Sequence, residues 1–273
     1  MFMDAEGESP IEANRMSAII DNPFIVFSIS LVAQWCAAYL GDLVRTRLRP
    51  VGSDEREDLN TVLTATLTLL AVIVGFSFSM AVSRYDQRKN YEEAEANAIG
   101  TEFVRADLLP PADATRVREL LRKYLDQRIS FYLSGQHQLV EASTQAAKLQ
   151  SELWSSVAHV ATAQPTPIVA LAASGMNDVL NSQGYTQAAW SNRIPVAAWG
   201  LMGLTAVFSN MLLGYRERKT GMLVLVILPV IVSIAFFLIA DIDSPRGGVI
   251  RVAPQNLMSV SQFIDAHLRE LNQ

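Results

Sequence analysis

The chain has 273 residues, of which 50% are hydrophobic and only 18% are charged. This balance excludes an ordinary soluble domain of the same length and indicates a membrane protein. The net charge of -5 gives no positive field to gather nucleic acid, so nucleic acid is not expected as a partner. The single cysteine, Cys36, excludes an intramolecular disulfide framework and a CxxC metal site.

The N-terminal tail, residues 1–22, is acidic where a secretory signal peptide would be basic. We therefore expect no cleaved signal peptide and a retained span that directs the chain to the membrane. A membrane-spanning helix needs about 20 mainly apolar residues, because its backbone polar groups must be satisfied within the segment. Four stretches meet this requirement: 23–43, 59–82, 194–213 and 222–240. Asn22 and Asn192 are expected to cap the first and third spans.

The four spans predict two transmembrane hairpins, 23–82 and 194–240, separated by a helical extramembrane domain over 83–193. In this domain the second span continues as a helix to Leu109, Asp113 caps the next helix, and further helices cover about 141–159 and 167–190. Residues 241–273 are predicted to form a turn, a short strand at "VIRV" (249–252), and an amphipathic helix starting at Pro254. The fold class is an all-α integral membrane protein.

Three carboxylates follow the second span on one helical face: Glu92, Glu95 and Glu102. Such a row could collect cations in a vestibule or form a selectivity ring in an oligomer. The favoured interpretation is a solvated face, since a helix outside the membrane needs exposed charge and surface pairs contribute little. Asp241 and Asp243, after the fourth span, are similarly candidates for facing ions, but anchoring of the following turn is favoured.

Small residues form a stripe along the second span. The stripe could pack against another helix, which is favoured, or line a pore in which Phe76 or Phe78 forms a hydrophobic constriction. The candidate pore-lining or helix-packing residues are Thr61, Thr68, Gly75, Phe76, Phe78 and Ser79. Gln34 and Asn210, also deep in spans, are expected to bond across a helix interface.

Signatures of catalysis are missing from the sequence: it has no phosphate loop, HExxH or GxSxG motif. The three histidines, His137, His159 and His267, are far apart, without carboxylates at ligand spacing, and are expected on helix surfaces. We therefore expect no catalytic residues, no metal site, no cofactor and no enzymatic activity.

The two short loops between spans are basic, which favours the cytoplasmic side for both. Their basic residues are Arg45, Arg47, Arg49, Arg56, Arg216, Arg218 and Lys219. This charge distribution predicts that both termini and the central domain are extracytoplasmic.

Four segments carry a resemblance to a known family: "EAEANAIGTEFVRADLLP", "LLRKYLDQRI", "NRIPVAAWGLMGL" and "LIADIDSPRGGVIRVAP". With this pattern the chain resembles the bestrophin-like domain family of bacterial membrane proteins. The resemblance implies a multi-pass protein of the bacterial inner membrane. It also suggests kinship with bestrophins, pentameric anion channels with four spans per subunit and cytosolic termini, an orientation opposite to the one that the loop charges predict.

The leading hypothesis is a homo-oligomeric ion channel or pore in which the second span lines the path. Its expected partners are the lipid bilayer, further copies of the chain and inorganic ions. An acidic vestibule would favour cations. The alternative is a non-conducting envelope sensor or scaffold whose helical domain binds a partner.

Overall fold

The computed structural model describes residues 20–47, 53–134, 139–216 and 222–271. Within these ranges all of the regular secondary structure is helical. The helices are α1 (Pro23–Arg47), α2 (Ser53–Arg105), α3 (Pro111–Leu133), α4 (Leu139–Ala163), α5 (Pro167–Ser191), α6 (Val196–Arg216), α7 (Met222–Asp243) and α8 (Gln255–Leu271), with a 3-10 turn at Ala106–Leu108. Most of the acidic tail, His137, and the loop residues Arg49, Arg218 and Lys219 lie outside the described residues, as does the side chain of Arg56.

Four segments are long and apolar enough to cross a membrane, which confirms the four predicted spans. They are Pro23–Arg47, Glu57–Leu108, Pro167–Arg216 and Leu225–Asp243. At 1.5 Å per residue, the 53 residues of α2 extend about 80 Å, far more than the roughly 30 Å of hydrocarbon in a bilayer. Residues 84–105 hold nine charged side chains, so the spanning part of α2 is the apolar stretch 59–82.

Of the three predicted helix caps, one is confirmed. The Asn22 side-chain oxygen accepts hydrogen bonds from the backbone N–H groups of Phe24 (3.1 Å) and Ile25 (3.3 Å) at the start of α1. The other two predictions are wrong. Asn192 follows the end of α5, and its backbone N–H donates to the Ala188 carbonyl of that helix. Asp113 lies inside the first turn of α3. The helix begins at Pro111, directly after Pro110, because the first helical position needs no backbone N–H and proline has none.

The chain divides into two compact units. The membrane unit comprises Met1–Arg84 and Arg193–Arg251, and the helical unit comprises Tyr85–Asn192 and Val252–Gln273. Helix α2 passes from one unit into the other between Arg84 and Tyr85.

In the membrane unit, α1 packs against both α6 and α7. Gly41 of α1 and Gly214 of α6 allow the two backbones to meet. A Cβ atom on Gly41 would collide with the Met211 carbonyl, and one on Gly214 would collide with the Ala38 carbonyl. The pairing of α1 with α2 as a hairpin stays a prediction.

A buried polar network joins the same three helices. Asn210 donates from its amide to the Gln34 side-chain oxygen (3.0 Å), and Gln34 donates to the Ser233 hydroxyl (3.1 Å). All three side chains are buried. The expected bond of Gln34 and Asn210 across a helix interface is confirmed, and it fixes the register of α1 on α6 because a polar group in hydrocarbon needs its partner.

The helical unit has one continuous apolar core. It is built from the face of α2 that carries Ala96, Ile99 and Phe103, together with the inner faces of α3, α4, α5 and α8. The amphipathic helix predicted to start at Pro254 is confirmed as α8, whose Leu257 and Ile264 are fully buried, and Leu121 of α3 is buried equally. These helices position the acidic residues that follow the second span.

Candidate functional site

The spanning part of α2 has two different faces. One face is buried against the rest of the chain through Leu63, Leu70, Ser77 and Ala81. The opposite face is exposed and carries a row of small or polar residues beside larger apolar ones, among them Leu69, Val72 and Phe76. Its exposed members are Thr61, Thr64, Ala65, Thr68, Val72, Gly75, Phe76 and Ser79, and we call this surface the α2 stripe. Packing of the stripe within the described part of the chain is therefore excluded, while packing between copies and pore lining remain.

The hydroxyl groups of the α2 stripe present acceptor oxygens outward. Thr61 donates to the Glu57 carbonyl (3.1 Å) and Thr68 donates to the Thr64 carbonyl (2.8 Å), so each hydroxyl hydrogen is used inside the helix. The oxygen keeps lone pairs that can accept. Gly75 leaves open space, since a Cβ atom there would meet nothing within 4 Å among the described atoms.

Of the two predicted constriction residues, only Phe76 lies on the α2 stripe. Its side chain is 72% exposed, whereas that of Phe78 is 40% exposed. At about 100° per residue, Phe78 points about 160° away from Phe76 around the helix. Phe78 is therefore not positioned to share a constriction with Phe76.

A carboxylate that the sequence reasoning missed stands at the beginning of the stripe. Glu57 and Asn60 border the same open groove as Thr61, Thr64 and Thr68. Glu57 is exposed and lies one turn before Thr61. The spacing of four residues between Glu57 and Thr61 could have placed Glu57 on the same helical face. The charged segment around Glu57, however, has the composition of a solvated loop.

The three predicted carboxylates are not exposed to solvent. The exposed fractions of Glu92, Glu95 and Glu102 are 1%, 0% and 0%. The solvated-face interpretation is wrong, because this face of α2 packs into the helical unit. An ion-facing role for these residues stays a prediction, without support from the contacts described below.

Glu95 forms a buried ion pair with Arg128 of α3 and accepts a hydrogen bond from the Thr186 hydroxyl of α5 (3.1 Å). The second guanidinium contact with Arg128 is 3.2 Å. Burial lowers the pKa of Arg128, but the charge and hydrogen bonds of Glu95 outweigh this, and the pKa is raised above its ordinary value. Burial, and next the charge of Glu95, raise the pKa of Tyr124 nearby. The pair therefore links three helices in a dry site.

Glu92 holds the start of α8. Its carboxylate accepts from the backbone N–H of Leu257 (3.0 Å) and from the Asn256 amide (2.6 Å). A carboxylate at a helix N-terminus satisfies free N–H groups and is favoured by the helix dipole. The partner lies 165 residues away in the sequence, so no local pattern identifies it.

Glu102 differs from both. Neither of its carboxyl oxygens has a hydrogen-bond partner among the described residues. Burial raises the pKa of Glu102 from 4.5 to about 8; the charge of Arg105 opposes this shift and that of Asp178 adds to it. The group lies far along α2 from the spanning stretch 59–82.

Asp241 anchors the segment after α7. Its carboxylate accepts from the backbone N–H groups of Val249 (2.6 Å) and Ile250 (3.0 Å). These bonds use donors that a strand would need, and residues 249–252 are irregular. The predicted strand at "VIRV" is therefore wrong.

Asp243 anchors the entry to α6. It accepts from the Arg193 side chain (3.0 Å) and from the backbone N–H of Ile194 (3.3 Å), and the Arg84 guanidinium is 3.7 Å away. Both aspartates are buried. Their hydrogen bonds support the anchoring interpretation, and their candidate role in facing ions stays a prediction.

Within the described ranges, no three His, Cys, Asp or Glu side chains come together as metal ligands.

A family model of the bestrophin-like domain matches residues 32–257. The chain belongs to the bestrophin-like family. The matched range of this bestrophin-like protein includes the α2 stripe, Glu57, the three buried glutamates and both anchoring aspartates. Among curated proteins, none matches this chain.

Solved structures share the fold of this bestrophin-like protein. A bacterial bestrophin homologue from Klebsiella pneumoniae, in a form with one substitution, has a TM-score of 0.62 at 13% identity, and the match covers 89% of this chain and 96% of that chain. A second structure of the Klebsiella pneumoniae homologue, phased with zinc, has a TM-score of 0.60 at 14% identity and covers 89% and 97% of the two chains. At these identities the likeness establishes the fold alone.

Proposed function

We propose that this bestrophin-like protein is an oligomeric ion channel in which the α2 stripe of each copy lines the path. The observation that carries the proposal is the row of small and polar residues on the exposed face of α2. Lipid contact favours large apolar side chains, whereas Thr61, Thr68 and Ser79 stand here among the apolar residues of an exposed face. Several copies around an axis would bring these faces together and remove them from lipid.

The residues of the stripe favour cations. Outward lone pairs on Thr61 and Thr68 can replace part of the hydration shell of a cation, and Glu57 adds a negative charge at one end. This differs from the anion selectivity that kinship with bestrophins implies. Phe76 is the residue that would narrow the path and oppose its wetting.

In proteoliposomes, we expect the protein to conduct, and its Phe76→Ala variant to conduct several-fold more because the constriction is wider and more easily wetted. Glu57→Gln is expected to reduce the preference for K⁺ over Cl⁻, measured as the reversal potential in a salt gradient. The matched controls are Phe208→Ala, a half-exposed phenylalanine of α6 away from the stripe, and Glu93→Gln, an exposed glutamate of α2 outside the span. Silence of the wild type under all gradients and voltages would contradict the channel.

A second candidate function is a non-conducting envelope sensor or scaffold. It is supported by the helical unit, which pairs Glu95 internally with Arg128 and exposes apolar side chains such as Leu133, Ile168 and Tyr185 that a partner could cover. This function requires no flux, so the liposome measurement separates the two candidates.

For orientation, we propose that both termini and the helical unit are extracytoplasmic, as the basic short loops favour. The single native cysteine allows a direct test. In a Cys36→Ser background, Gln273→Cys should react with a membrane-impermeant maleimide in intact cells, and Arg49→Cys should react only after permeabilisation. The reverse pattern would contradict the proposal and match the cytosolic termini of bestrophins.

A further inference from the structure

Glu102 occupies a position in the helical unit where its carboxyl group has no hydrogen-bond donor among the described residues. The side chain is fully buried, and neither oxygen has a hydrogen-bond partner among the described residues. It points at the backbone of α5 where that helix has Gly175. A Cβ atom on Gly175 would collide with the Glu102 carboxyl and with the Arg105 guanidinium, so the glycine is what makes room for both.

The neighbouring glutamates on α2 have hydrogen-bond donors. Glu92 has two hydrogen-bond donors from α8, and Glu95 has a guanidinium and a hydroxyl. All three acids have the same burial, so the absence of donors distinguishes Glu102. An ionised carboxylate without donors in a dry site is costly, and a protonated one is far less so.

Two charged groups act on Glu102 among the described residues. Arg105, one turn along α2, attracts its charge, and Asp178 of α5 repels it. The adjacent residue, Phe103, has the guanidinium of Arg118 from α3 at 5.6 Å from its ring centre, and Arg118 pairs with Asp107. From α8, the His267 ring packs edge-on against Phe103 at 5.6 Å, so this histidine is more buried than predicted.

We propose that Glu102 is a proton-binding site that controls the packing of α2 against α5. With the proton bound, the neutral carboxyl fits between the helices at Gly175. When the proton leaves, the charge favours separation of the helices at this point, because separation lets water reach the carboxylate. The site therefore makes the helical unit responsive to alkaline conditions, and this holds whether or not the protein conducts ions.

The raised pKa gives the direction and range of the response. Between pH 4.5 and about pH 8 the folded chain keeps a proton that the unfolded chain has released, so the folded state is weakened as pH rises. The folding equilibrium constant is expected to fall by up to about tenfold per pH unit in this range. Above about pH 8 both states are ionised at Glu102 and its contribution no longer changes.

The test is hydrogen exchange of α5 peptides that contain Gly175 in the purified full chain, compared between wild type and Glu102→Gln at each pH from 6 to 9.5. The comparison at equal pH cancels the intrinsic pH dependence of exchange. Relative to Glu102→Gln, protection of the wild type should fall by up to about tenfold per pH unit as the pH rises from 6, and it should level off at about pH 8. Glu93→Gln, an exposed glutamate on the same helix, should behave as wild type.

Two further variants fix the identity of the titrating group. Arg105→Gln removes the attraction and should move the pH at which protection levels off to a higher value, while Asp178→Asn removes the repulsion and should move it to a lower value. If Glu102→Gln does not fold, Glu102→Leu replaces it as the reference, and the opposite shifts of the other two variants remain readable. An unchanged wild-type profile, or the same profile in Glu102→Gln, or equal shifts in Arg105→Gln and Asp178→Asn, would overturn the proposal.

Discussion

Replacing Arg128 with Met is expected to lower the free energy of unfolding of the helical unit by about 3 to 5 kcal/mol. Arg128 is 2% exposed and pairs with Glu95, which is fully buried. The replacement leaves the buried Glu95 carboxylate with the Thr186 hydroxyl as its one remaining donor among the described residues. Denaturant unfolding in detergent, followed by the fluorescence of Trp154 and Trp190 in this unit, would measure the loss.

The same pair offers a rescue. The double variant Glu95→Leu, Arg128→Met should recover most of the lost stability, because an apolar pair of similar volume often replaces a buried ion pair without loss. Arg122→Met is the control on the same helix. Its partners Asp126 and Asp265 are partly exposed, so a change of only about 0 to 1 kcal/mol is expected. Equal losses from Arg128→Met and Arg122→Met would show that the buried pair has no special role.

Replacing Gly214 with Ala should destabilise the membrane unit by about 1 to 3 kcal/mol, although Ala is the better helix former. The added Cβ atom would collide with the Ala38 carbonyl, and backbone cannot move aside as a flexible side chain can. Helices α1 and α6 would have to separate, which also strains the 3.0 Å bond between Asn210 and Gln34. The midpoint of thermal aggregation in detergent would report the loss.

Gly200→Ala is the matched control in the same helix. A Cβ atom at Gly200 would meet nothing within 4 Å among the described atoms. The substitution then changes only the helix propensity at this position, and Gly200→Ala should stabilise α6 by about 0.5 to 1 kcal/mol. Opposite signs for the two substitutions are the expected result. A stabilising Gly214→Ala would contradict the close contact of α1 with α6.

The acidic residues of α2 show where prediction from sequence succeeded and failed. Spacing placed Glu92, Glu95 and Glu102 on one helical face, and that is correct. Composition favoured water around them, since most charged residues are exposed. The partners of Glu92 and Glu95, which are Asn256, Arg128 and Thr186, belong to other helices at separations of 33 to 164 residues, and no local pattern contains that information.

The α2 stripe shows the same division. Periodicity identified the face from Thr61 to Ser79, but whether this face met another helix of its own chain depended on where α1, α6 and α7 packed. That packing left the stripe exposed, added Glu57 to it and separated Phe76 from Phe78.

By itself, the sequence determined that this is a helical membrane protein with four spans, that the second span continues unbroken as a charged helix, and which family it resembles. Hydrophobicity and helix breakers are local properties, and spans and helix ends follow from them. Only the tertiary structure decided the environment of each charge. Glu95 is paired, Glu92 caps a helix, Asp241 anchors a turn, and Glu102 has no hydrogen-bond donor within the described part of the chain. The physical reason is that the energy of a carboxylate depends on the donors and water within a few ångströms, and those come from residues remote in sequence.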